Sequence, residues 1–278
     1  MTVDVHLFCV GHCRNRAWLV ESGSWFEDLH LPAMAALIRH PKAGLVLFDT
    51  GYGAPLARAG SLAARLYRRI LPFQVRAEDA IPVHLRALGV GLSEIATIFL
   101  SHFHPDHIGS LREMPAAPIL HSRAGLEALG KLTGPQRARA AFFPELLPAD
   151  FAARARAIEE LAMVELDETW RPFTAGYDVA GDGSIVAIAL PGHALGQYGL
   201  LCRKGENRWV FLVADAAWTR RNISDLALPG WPAGALIGDP AAFRATLKKL
   251  HEFQRRRPDV PLIPSHCEAS IAAYQHEQ

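Results

Sequence analysis

SHFHPDHIGS, residues 101–110, packs His102, His104, Asp106 and His107 into six positions directly behind the apolar run IATIFL (95–100). That run reads as a buried strand. On the extended chain that leaves it, side chains alternate faces, so His102 and His104 point the same way. If the chain turns into a helix at Pro105, Asp106 and His107 swing toward the same cavity from its first turn. Solvated or merely hydrogen-bonded histidines would explain one such residue, but not three with an aspartate at this spacing. The stretch therefore reads as half of a two-metal site. Imidazole with carboxylate suits Zn²⁺ best, with Fe, Mn or Co also compatible. Working outward, further ligand-type residues stand just past apolar runs: His193 in LPGHALGQ, Asp215 in VADAAW and His266 in IPSHCE. They follow His107 at intervals of 86, 22 and 51 residues.

HFHPDH, with these later positions and LVLFDTG (45–51), resembles the metallo-β-lactamase superfamily of binuclear hydrolases across nearly the whole chain. The resemblance implies an αββα sandwich with the metals at one sheet edge. It implies that His102, His104 and His193 hold a first ion, that Asp106, His107 and His266 hold a second, and that Asp215 bridges them. The bridging aspartate sets the chain apart from true β-lactamases, which would place a cysteine there. Water activated between two divalent ions would then attack a carbonyl or phosphoryl centre, with Asp106 holding the proton and returning it to the leaving group. LPAMAALIRHPKAGLVLFDTGYG (31–53) and the 22-residue interval are most similar to N-acyl-homoserine lactone lactonases. Hydrolysis of a carbonyl ester, a lactone first, is the expected activity. Those lactonases carry a tyrosine three residues past the bridging aspartate where this chain has Trp218, with Tyr52 or Tyr198 as candidate substitutes. The alternatives are a thioesterase or phosphodiesterase of the same superfamily, or a binding protein that keeps the fold without turnover.

Half of the 278 residues are hydrophobic and 21% are charged, which excludes disordered and fibrous classes. Twenty-nine Lys and Arg against 28 Asp and Glu give a net charge of +1, so no global field gathers nucleic acid. The N-terminus lacks a signal-peptide pattern, and no apolar run is long enough for a membrane span. Cys9, Cys13, Cys202 and Cys267 form no CxxC pair, so a reduced, cytoplasmic protein acting on a small molecule is expected. Strands are predicted at 3–10, 17–22, 33–39, 44–49, 95–100, 117–121, 161–167, 184–190, 197–202, 208–214 and 260–265. Helices are predicted over 55–71, 78–89, from Ser122 to Leu129, within 134–160 and from Asp239 to Arg257. The chain thus reads as α/β, a single domain over 1–278, with helical insertions near 54–76 and 134–160.

Several residues invite a functional reading beside an ordinary one. Asp49 suits a partner for a metal-bound histidine or a turn carboxylate bonded to backbone amides. The helix at 55–71 sets Ala59, Leu62, Leu66 and Ile70 against arginines, which favours a solvated basic face over a core stripe. It could instead edge the substrate entrance, or its apolar side could make a homodimer contact. Trp25, Phe26, Phe103, Trp218 and Trp231 are candidates to line an acyl pocket; Phe103, Trp218 and Tyr198 are the substrate-binding choices. His121 reads as structural, Cys267 as pointing away from the metals, and Cys9 and Cys13 as buried thiols.

Overall fold

The computed structural model describes residues 1–22 and 27–277; Trp25 and Phe26 lie outside them. Seven strands form the first sheet: β1 (Asp4–Arg16), β2 (Asp28–His40), β3 (Gly44–Phe48), β4 (Phe73–Gln74), β5 (Ile95–Phe99), β6 (Ile119–His121) and β7 (Ala155–Ala157). Their spatial order is β4-β1-β2-β3-β5-β6-β7. The second sheet holds β8 (Met163–Glu165), β9 (Ala175–Asp178), β10 (Ile185–Ala189), β11 (Tyr198–Arg203), β12 (Trp209–Ala214) and β13 (Leu262–Pro264), in the order β13-β12-β11-β10-β9-β8.

Near-continuous apolar runs such as PAMAALI make sense because the central strands are covered on both faces. Along β2, Met34, Ala36 and Ile38 face a core shared with Ile185, Leu200, Val210 and Leu212 of the second sheet. Ala33, Ala35 and Leu37 face the opposite way, into a cluster with Leu56, Ile81, Leu85 and Phe143. The outer face of the second sheet buries Phe211 and Val213 against Phe243, Leu247, Leu250 and Phe253 of the helix Pro240–Arg256. The result is helix, sheet, sheet, helix: the αββα sandwich. β3 and β5 run parallel, as do β12 and β13, so within each sheet the segments after them emerge at the same end.

Local chemistry accounts for the boundaries. Ser122 caps the helix Arg123–Gly130 by accepting from Gly125 N, and Asp239 caps its helix through Ala241 and Ala242. Pro82 sits in the first turn of Ile81–Ala87, where its missing N–H costs nothing. Elsewhere the sequence reading needs correction. Residues 17–22 are no strand: Ala17–Val20 is one helical turn, with Ala17 and Val20 buried together, an outcome a short apolar run cannot distinguish from a strand. The span 55–71 holds two helices, Ala54–Arg58 and Leu62–Ile70, because Ser61 restarts the chain as an N-cap. Leu62, Leu66 and Ile70 do not form a core stripe but face outward. The span 134–160 includes the edge strand β7 as well as helices, and β9 and the helix Glu268–His276 had no predicted counterpart.

Candidate metal centre and active site

Four segments end at one point. After β5, Pro105 opens a short helix over Pro105–Ile108 with Asp106 and His107 in its first turn. The Asp-Thr-Gly turn after β3 clamps this loop: Thr50 N and Oγ1 both donate to His107 O, at 2.8 and 3.0 Å, and Gly109 N donates to Gly51 O. Gly51 has φ +56°, and a Cβ there would lie 2.3 Å from Val10 Cβ, so only glycine fits. The loop carrying His193 is pinned to the long helix, since Asp239 N donates to Gly192 O and Gly238 N to His193 O. A Cβ on Gly192 would meet Phe243 N at 2.1 Å. Asp49 and Ala214 adopt positive φ, 57° and 49°, without being glycine. Such strain is held by its surroundings and tends to gather where side chains must be aimed.

The side chains form two clusters, His102–His104–His193 and Asp106–His107–Asp215–His266, with the candidate ligand atoms of each within 4.8 Å of one another. Asp215 joins them. Its Oδ2 lies 3.3 Å from His193 Nε2 and 3.0 Å from His266 Nε2, and its Oδ1 lies 3.2 Å from His107 Nε2. His104 Nδ1 is 2.9 Å from His193 Nε2, and Asp106 Oδ2 is 3.4 Å from His266 Nε2. All seven predicted ligand residues converge.

The backs of the rings are held as well. His107 Nδ1 meets Asp49 Oδ2 at 2.7 Å, His266 Nδ1 meets Pro32 O at 2.6 Å, and His102 Nδ1 meets Ser101 Oγ at 3.0 Å. Each contact leaves Nε2 turned to the centre. Asp49 also accepts from Ser101 N and Oγ. Both earlier readings of Asp49 are thus met at once: it backs a histidine and bonds a backbone amide.

Burial and like-charged neighbours hold His102 well below the usual imidazole range. Burial likewise lowers His104 and, more strongly, His193, and in both it prevails over nearby carboxylates. These rings are therefore neutral imidazoles, the form that ligates a cation. Burial opposes a charged His107 and a charged His266, but carboxylates outweigh it. Asp215, Asp49 and Asp106 hold His107 well above its ordinary value, while Asp215 and Asp106 raise His266 to about 8. Burial likewise disfavours the Asp215 carboxylate, yet His266, His107 and His193 hold its pKa well down. His102 Nε2, His107 Nε2 and Asp215 Oδ1 are buried without a well-formed hydrogen bond, although the last two lie 3.2 Å apart. Orphaned imidazole and carboxylate atoms at one point fit divalent cations, since buried polar atoms otherwise find partners.

A cavity of about 340 Å³ opens over the clusters, lined by His104, Asp106, His193, Asp215 and His266 on its floor. Its walls include Trp218, Tyr67, Tyr52, Leu66 and Ile237. Trp218 meets His193 edge to face at 5.6 Å. Two substrate-binding choices are corrected. Phe103 is 2% exposed and packs on Phe142, Phe151 and His121, in the core beneath the loop. Tyr198 lies between the sheets against Tyr177 and does not line the cavity. The alternation that turns His102 and His104 to the site turns Phe103 away from it. Tyr67 was missed: a lone tyrosine on a basic helix carries no motif. Cys9 is only half-buried; Cys13 is buried, as expected. Cys267 accepts from Arg220 N, and His121 contacts Ser122 O, both structural roles.

The metallo-beta-lactamase superfamily domain matches residues 30–266, a span that takes in every ligand position. The chain belongs to that superfamily. Among its relatives, an N-acyl homoserine lactonase AttM of Azorhizobium caulinodans is 26% identical over 218 residues, 75% of this chain and 74% of its own. A solved N-acyl homoserine lactone hydrolase, with N-hexanoyl-L-homoserine product at its catalytic metal centre, superposes with TM-score 0.72 at 20% identity, covering 98% of this chain and 97% of that one. AidC, described as a dizinc quorum-quenching lactonase, superposes with TM-score 0.63 at 16% identity, covering 96% and 88%. At these identities the structural likenesses speak for the superfamily fold. Among the described residues no helix is long and apolar enough to cross a membrane.

Proposed function

We propose that this protein is a metal-dependent lactonase that opens a cyclic ester carrying an acyl or other apolar substituent. The observation that carries the reading is the pair of clusters joined by Asp215 beneath a cavity walled by Trp218, Leu66 and Ile237. The lactonase relatives support the choice of a ring ester, and the His and Asp donor set supports zinc, with Fe, Mn or Co compatible. His102, His104 and His193 would hold one ion, Asp106, His107 and His266 the other, and Asp215 both. When bound, two such ions supply Lewis acidity for a carbonyl oxygen and acidify a water.

The chain's own residues do the rest. Asp49, Ser101 and Pro32 fix the tautomers of His107, His102 and His266. Trp218 offers the cavity an apolar face and one N–H donor beside His193, and Tyr67 adds its ring to the wall. The Asp106 carboxylate, on the cavity floor, accepts a proton from the attacking water. It returns that proton to the ring oxygen as the C–O bond breaks, leaving a hydroxy acid. Residues 1–278 act as one catalytic domain, with the insertions near 54–76 and 134–160 contributing Leu66, Tyr67, Ala138 and Arg139 to the walls.

The test is turnover of purified enzyme on acyl lactones and acyl thioesters, alongside elemental analysis. Lactone opening with about two metal ions per chain is expected. Thioester cleavage without lactone opening would assign the cavity to a thioesterase, and metal-free active enzyme would end the reading.

A further inference from the structure

The rim of the cavity carries an apolar surface that extends outward beyond the substrate walls. Leu62, Leu66 and Ile70 on the helix Leu62–Ile70 are 76%, 51% and 62% exposed. Segment 226–238, LALPGWPAGALIG, contains no charged residue and leaves Trp231 84% and Leu236 57% exposed. Leu66, Ile70 and Leu236 line one cavity, so the two segments flank one opening. Large apolar side chains exposed together mark an interaction surface.

Charge says which kind. Residues 54–76 contain Arg58, Arg65, Arg68, Arg69 and Arg76 and no Asp or Glu. Arg68 is occupied by the carbonyls of Leu56 and Ala59, and Arg76 approaches Glu78. Arg58, Arg65 and Arg69 are exposed, with no ion pair among the described residues. The neighbouring stretch 128–144 adds exposed Arg139 at the cavity edge and again holds no acid.

We propose that this face docks on an anionic phospholipid bilayer. Leu62, Leu66, Ile70 and Trp231 would enter the interfacial layer while Arg58, Arg65 and Arg69 meet headgroup phosphates. A basic helix with an outward apolar face, beside an exposed tryptophan, has the chemistry of a helix lying in a membrane surface. A second copy fits less well. A two-fold axis through the helix Leu62–Ile70 would set Arg65 and Arg69 near their own images, and residues 54–76 hold no acid to compensate them. Docked in this way, the cavity mouth opens toward the bilayer, where apolar substrates concentrate. The proposal does not depend on the lactone reading, since vesicle binding needs no turnover.

Metal-loaded protein is mixed with vesicles of phosphatidylglycerol and phosphatidylcholine, or of phosphatidylcholine alone, and sedimented. Binding to the anionic vesicles that weakens with added salt is expected. Arg65→Glu with Arg69→Glu, and separately Leu62→Glu with Trp231→Glu, should each lower partitioning by at least about tenfold. None of these four residues lines the cavity, so metal content and melting temperature should hold. Absence of binding to anionic vesicles, or unchanged partitioning of both variants, overturns the proposal. Light scattering that finds a dimer dispersed by Leu62→Glu with Trp231→Glu gives the face to a second copy instead.

Discussion

Asp49 is fully buried, has positive φ, and spends both carboxylate oxygens on His107 and Ser101. Burial raises its pKa against the pull of His107, so the contact is a costly one that the fold nevertheless maintains. Replacing such a partner of a ligand histidine typically costs 10–100-fold in metal affinity. Asp49→Asn should therefore bind metal roughly 10–100-fold more weakly in a chelator competition, and unchanged affinity would remove Asp49 from the site's support. Asp106 has a heavier task, since it would both hold metal and move a proton. Asp106→Asn should lose more than the ~10²–10⁴-fold attributed to general acid–base help alone. Near-normal turnover at full metal occupancy would strike it from the mechanism.

The helix Pro240–Arg256 buries Phe243, Leu247, Leu250 and Phe253 on the outer sheet face, and its N-terminus also anchors the His193 loop. Asp239 serves both ends of that connection, capping the helix with its side chain and holding Gly192 with its amide. Asp239→Ala should cost ~1 kcal/mol in urea unfolding, the usual loss of an N-cap. Its backbone hold on Gly192 should survive, so turnover should fall little. A large kinetic loss with small destabilisation would mean that the cap itself aims His193. The helix Leu62–Ile70 shows the opposite balance: Leu62 and Leu66 join no core cluster, and its capping at Ser61 and packing of Ala64 and Tyr67 keep it in place.

Across the whole molecule, ions at the centre would tie together loops from both sheets. Metal removal should leave orphaned buried atoms and lower the melting temperature, with about 3 kcal/mol of stability lost per ion for ions present at roughly a hundredfold over Kd. An identical melting curve after chelation would show that the sandwich does not need the ions. Away from the centre, Asp182 meets His40 at 3.2 Å and accepts from Ser184 N and Oγ, linking β2 to the turn before β10. Burial works against the charged carboxylate, but the Ser184 bonds prevail and hold it well below the usual range. A depressed folded pKa stabilises above the unfolded value, near ~3.9, and that stability is lost as pH falls through the folded value. Asp182→Asn should thus be less stable than the parent at neutral pH, with the gap closing in melting curves below about pH 4. A constant gap would assign the loss to packing.

The ligand residues could be read directly from the sequence because their signals are local: a strand end, a proline-opened turn, and histidines at alternating positions. The same holds for the long helix, whose Asp239-Pro240 start is written into neighbouring residues. Alternation also hid something, since the rule that aims His102 and His104 at the metals buries Phe103 on the other side. Tertiary structure alone decided the rest. Periodicity gave the helix at 62–70 an apolar face but could not say whether a core or an open cavity lay before it. Tyr198 follows a strand pattern that leaves its partner sheet unspecified, and only packing put it against Tyr177. The segments carrying His193, Asp215 and His266 are far apart in sequence and meet the loop at 101–110 only when two sheets close on one core. That closure is set by burial summed over the whole chain, which no local stretch encodes.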